Sequence, residues 1–175
     1  MKTDHLRPHD ILLCKGSSFI SWLIRYGTKS LYSHVAVVAD PEIYLAIESN
    51  MGHQAGVRGS DLRKLSDDKV DIFRVKPEFP FDGKKVISFL VSCLGADYDL
   101  SGVVWLGVLK FTGLMTGFNL KPYNAFQKEK DYFCSELVYQ AFLAGGLDIV
   151  PQVGEADITS PGDIAESERL IKIGG

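Results

Sequence analysis

The sequence predicts an α+β fold built on a mainly antiparallel sheet. Strand-like runs crowd into residues 10–75, where a doubly wound fold would alternate strand and helix evenly. Two of these runs, "SHVAVVA" (33–39) and "IYLAIES" (43–49), are separated only by the turn signal "DPE", so they read as an antiparallel hairpin. The third observation is bulk: 175 residues with 46% hydrophobic and 23% charged side chains can bury one core without covalent staples. Nothing in composition or punctuation divides the chain, so residues 1–175 read as a single domain.

Taken in order, "DILLC" (10–14) is a short buried strand. "SSFISWLIRYG" (17–27) follows as an apolar helix stopped at Gly27. After the hairpin, shorter strands are expected near "AGVRGS" (55–60) and at "VDIFRV" (70–75). "GKKVISFLVSCLG" (83–95) places Val86, Ile87, Phe89, Leu90, Cys93 and Leu94 on one broad apolar face, the pattern of a helix closing at Gly95. Residues 97–130 are irregular, aromatic and glycine-rich. A helix then begins near Cys134, with Asp131 as the expected N-cap and Leu137, Val138, Ala141 and Phe142 at core spacing. It ends at Gly145-Gly146, and "RLIKIGG" offers one more strand.

Several functions are excluded early. A net charge of −3 and scattered basic residues give no footprint for nucleic acid. Three cysteines make no disulfide framework, so a reducing compartment is expected. "MKTDHLRPHD" has the acids and proline that a signal peptide lacks, which predicts a cytoplasmic protein. The longest apolar tract, "SGVVWLGVLKFTGLMTGF", is broken by Lys110 and its glycines, and falls short of a membrane span. Phosphate-loop, dinucleotide, serine-elbow and zinc-protease motifs are missing, and no cysteine pair has metal-ligand spacing; no metal or organic cofactor is expected.

What remains is a candidate cysteine nucleophile. Such a site needs a thiolate, a base for its proton and a group that holds the base. Cys134 falls at a helix start, where free N–H groups and the helix dipole suit a negative sulfur; Cys14 and Cys93 lie inside apolar runs. Taken alone, a buried structural cysteine is the commoner case. Of the four histidines only His34 opens an apolar strand, where its ring can face a cleft or simply sit at a sheet edge. Glu48 interrupts the partner strand, and a hairpin centred on Pro41 sets it directly opposite His34 on the same face. A carboxylate there can fix the tautomer and favour the protonated ring, though a solvated strand-end acid is also common. Glu136, two residues past Cys134, turns about 200° away on a helix and is left outside the set.

"SHVAVV", "AIES", "GADYDL", "YFCSELV" and "SPGDIA", in that order, resemble the permuted NlpC-like papain-fold proteins, especially the YiiX-type branch. The resemblance runs from about Asp10 to Ala165. It implies a circularly permuted papain-like fold in which the histidine strand precedes the cysteine helix. It also implies roles: Cys134 as nucleophile, His34 as base, Glu48 as third polar residue, and Tyr98 beside the oxyanion site. The expected activity is that of a cysteine amidase or peptidase acting on cell-wall peptides or amino-acid amides. Two rivals stand beside it: an acyl-lipid hydrolase or acyltransferase whose segment 102–118 contacts lipid, which is the less favoured reading of that segment, and a small-ligand-binding module without turnover.

Overall fold

The computed structural model describes residues 5–16, 19–51, 55–64, 69–97, 132–153 and 159–175. Tyr98, the tract 102–118, His53 and Asp131 lie outside these residues. The strands are β1 (Ile11–Cys14), β2 (His34–Asp40), β3 (Leu45–Asn50), β4 (Gly56–Asp61), β5 (Val70–Val75) and β6 (Leu170–Gly174). Helices α1 (Phe19–Thr28), α2 (Gly83–Ser92), α3 (Cys134–Ala144) and α4 (Pro161–Ala165) connect them. All six strands join one sheet in the order β4-β3-β2-β1-β5-β6, and every neighbouring pair is antiparallel. The α+β expectation and the terminal strand are both seen.

The runs "ILL" and "VAVV" carry no polar alternation because the sheet is covered on both faces. On one face Ile11, Leu13, Val35, Val37, Ile47 and Phe73 pack with the apolar sides of α2 and α3. The other face holds a smaller cluster of Leu12, Ala36, Val38, Ala46, Val70, Leu6 and Leu62. Within α3, Leu137, Val138, Ala141 and Phe142 are all fully buried, as their spacing predicts. The buried side of α2 is narrower than expected. Val86 and Leu90 are buried, Ile87 and Phe89 only border the core, and Leu94 faces solvent.

Two helix ends differ from the sequence reading. Helix α1 runs past Gly27 and closes through Lys29, at φ 51°, with the Ser30 N–H reaching back to the Arg25 carbonyl at 3.1 Å. A wrapped helix end of this kind satisfies late carbonyls without needing the glycine. The N-cap of α3 is Phe133, which offers no side-chain bond, so Asp131 is not the cap. The hairpin is also longer than "DPE" implies. Residues 41–44 form its turn, Tyr44 adopts φ 58°, and a bulge falls between Val38 and Asp40.

Candidate active site

The bulged turn decides how His34 and Glu48 meet. Ala36, rather than His34, is the cross-strand partner of Glu48. His34 therefore lies diagonal to the carboxylate, a correction to the direct pairing expected about Pro41. Because strand side chains alternate with a period of two, a slip of two residues keeps both groups on the same face. His34 Nε2 lies 2.7 Å from Glu48 Oε2. A carboxylate can only accept, so Nε2 carries the proton, which leaves Nδ1 as the ring atom for another partner.

The other group acting on the ring is Cys134, the first residue of α3, whose side chain raises the proton affinity of His34. The chain is tied down just before it. Ser49, fully buried and next to Glu48 on β3, donates its hydroxyl to the Tyr132 carbonyl at 2.5 Å. Ser135 donates to the Thr159 carbonyl at 2.6 Å. One strand thus orients the ring through Glu48 and anchors the cysteine helix through Ser49. On the far side, Gly56 at φ +118° lets the start of β4 close on the Ala96 carbonyl, which a Cβ would approach to 2.3 Å. No side chain larger than hydrogen fits there.

The electrostatics follow from these contacts. Burial works against a charged His34. The hydrogen bonds with Cys134 and Glu48, and the charges of Cys134 and Cys14, outweigh it and hold the ring well above its ordinary pKa of 6.5. Burial likewise opposes the charge on Glu48, but the bond and charge of His34, the Asn50 amide and the Arg58 guanidinium bring its carboxyl down to about 2. The pair is largely withdrawn from water, with side chains 22% and 9% exposed.

Three neighbours escaped the sequence reading. Arg58 is the cross-strand partner of Glu48, and its Nε and Nη2 each donate to Oε1 at 3.3 Å. Asn50 donates to the same oxygen at 3.3 Å. Extending the β3–β4 pairing from the short segment after Asn50 would have found Arg58. Cys14 was read as a buried residue of an apolar run. It is half-buried and pairs across β1–β2 with His34. Burial pushes its thiol up, the His34 charge opposes this, and the charges of Glu48 and Cys134 add to it. Glu136 is buried in the first turn of α3, while the carboxylate bonded to the ring is that of Glu48. His9 is far from this cluster in role, with Nε2 3.0 Å from the Gly83 carbonyl and its ring edge-on to Phe81.

Fold and site together define an α+β protein with a half-enclosed cysteine–histidine–carboxylate cluster at one end of an antiparallel sheet. Among solved structures, the chain is similar to the crystal structure of the metalloprotein yiiX from Escherichia coli O157:H7 (DUF1105), with a TM-score of 0.66 over 96% of each chain at 17% identity. That likeness is one of fold. No family model matches the chain, and no curated protein matches it in sequence. Among the described residues no group of three or more histidine, cysteine, aspartate or glutamate side chains is placed to hold a metal ion. Nor is any helix among them long and apolar enough to cross a membrane.

Proposed function

We propose that the protein is a cysteine hydrolase of the papain type, on a circularly permuted NlpC-like version of that fold, cleaving an amide through an acyl-enzyme. The observation that carries this reading is the position of His34, bonded at 2.7 Å to Glu48 Oε2 and acted on by Cys134 at a helix start. The order along the chain, histidine strand before cysteine helix, agrees with the permutation. The Cys134 sulfur attacks the carbonyl carbon and a thioester forms as the C–N bond breaks. His34 holds at Nδ1 the proton taken from the Cys134 thiol, gives it to the departing amine, then accepts one from the water that hydrolyses the thioester, which restores the thiolate–imidazolium pair. Glu48 keeps the ring oriented and charged. The Cys134 backbone N–H, in the first turn of α3, and the Tyr98 hydroxyl support the oxyanion in this scheme. Amino-acid amides and cell-wall peptides are the substrates proposed.

The test is chemical labelling. At neutral pH iodoacetamide should modify Cys134 stoichiometrically and before Cys93, and His34→Ala should slow that reaction to the rate of an unactivated thiol. Equal labelling of Cys134 with and without His34 would replace the hydrolase by a binding module. A hydrolase confined to acyl-lipid esters, with amides untouched, would overturn the substrate class.

A further inference from the structure

The two oxygens of Glu48 are used differently. Among the described residues Oε2 meets only His34, at 2.7 Å, while Oε1 receives Asn50 Nδ2 and both Nε and Nη2 of Arg58, each at 3.3 Å. The groups facing His34 are Cys134 from α3, Cys14 from β1 and Glu48 from β3, and Arg58 reaches it from β4 through the carboxylate. The Arg58 side chain is one-third exposed and Glu48 one-tenth, so the guanidinium covers the solvent side of a nearly buried acid.

We propose that Arg58 is a positioning residue of this site: it holds Oε1 of Glu48 so that Oε2 faces His34, and its charge limits how tightly Glu48 keeps the ring proton. The inference rests on the cysteine–histidine–glutamate reading above and deepens it. A histidine that must hand its proton to a leaving amine works best when its proton affinity is not far above the working pH. A nearly buried carboxylate with no counter-charge would hold the imidazolium too firmly, and Arg58 shares that negative charge.

The experiment separates donor from charge. In Arg58→Gln the new Nε2 sits three carbons from Cα, as Arg58 Nε does, so the bond to Oε1 survives while the charge is lost. His34 is followed by NMR titration of labelled imidazole, and Cys134 by the pH dependence of its alkylation. Arg58→Gln should raise the proton affinity of His34 on the order of tenfold, one pKa unit, and carry the upper edge of the alkylation profile with it. Arg58→Lys, which keeps the charge, should stay near wild type. Should Arg58→Gln fold poorly, Arg58→Met is read in the same way, because Asn50 still holds Oε1. An unchanged His34 titration in the neutral variant, or an equal shift in Arg58→Lys, overturns the proposal. The NMR readout needs no turnover. An inert Cys134 in the wild type would sink the hydrolase reading while leaving the Arg58 result to stand or fall separately.

Discussion

Glu48 and His34 stabilise each other, and the signs of their shifts set a pH window. Glu48 is depressed from 4.5 to about 2, so its contribution is present above pH 4.5 and drains away as pH falls toward 2. His34 is raised above 6.5, so its contribution is complete below pH 6.5 and is lost as pH rises through its folded value. Glu48→Gln should therefore cost most between about pH 4.5 and 6.5, with the difference from wild type shrinking on both sides; chemical denaturation across pH checks this. A deficit constant with pH would mean that the carboxylate stabilises by packing alone. On the hydrolase reading, Glu48→Gln should slow turnover of an activated thioester without abolishing it, since an amide can still accept the ring N–H. Cys134→Ala should leave no covalent turnover. Because residues acting as a unit are not additive, Glu48→Gln/His34→Ala should fall little below His34→Ala. Full additivity would place Glu48 outside the reaction.

At the scale of elements, the start of α3 is set by contacts from outside the helix. Its N-cap makes no side-chain bond, and Ser49 holds the preceding carbonyl instead. Ser49→Ala leaves that carbonyl without its donor, at a cost of roughly 1–3 kcal/mol. The same change should loosen Cys134 against His34, so the alkylation rate should fall more than the stability loss explains. A rate that survives intact would show that Ser135 and its bond to the Thr159 carbonyl suffice. Helix α4 is organised differently. Ser160 and Asp163 form a reciprocal capping box, with Pro161 at the first helical position. Ser160→Ala should cost about 1 kcal/mol and leave Cys134 reactivity unchanged, measured by thermal unfolding beside the labelling assay.

Over the whole molecule, two-sided burial of the sheet concentrates stability where α3 crosses it. Leu137 is fully buried between helix and sheet, and Leu137→Ala should cost about 2–5 kcal/mol in denaturant unfolding. Buried acids add a second, pH-dependent layer. Asp71, despite the opposing effect of burial, is held at about 2 by bonds from Lys15, Tyr32 and Lys172, with the Lys15 charge. Asp71 and Glu48 lie on different strands and share the same sign of linkage, so stability should fall steeply as pH drops from about 4.5 toward 2. The double variant Asp71→Asn/Glu48→Gln should flatten that fall; an equally steep acid transition would assign it to other carboxylates.

The sequence by itself determined the local elements and the ingredients of the site. Hydrophobic period and punctuation are local quantities, so the strands at 10–14 and 70–75 and the core stripe of α3 were all legible along the chain. So was the shared face of His34 and Glu48, because a period of two survives any even slip. Only the tertiary structure decided the register, the bulge at Val38–Asp40 and hence the diagonal meeting of ring and carboxylate; a turn signal marks a reversal without counting its residues. It also decided that Arg58 caps Glu48 and that Cys14 stands beside His34. Those neighbours come from which strands pair and in what register. Such pairing is chosen by burial of the whole sheet on two faces, a sum over the molecule that no single stretch of residues contains.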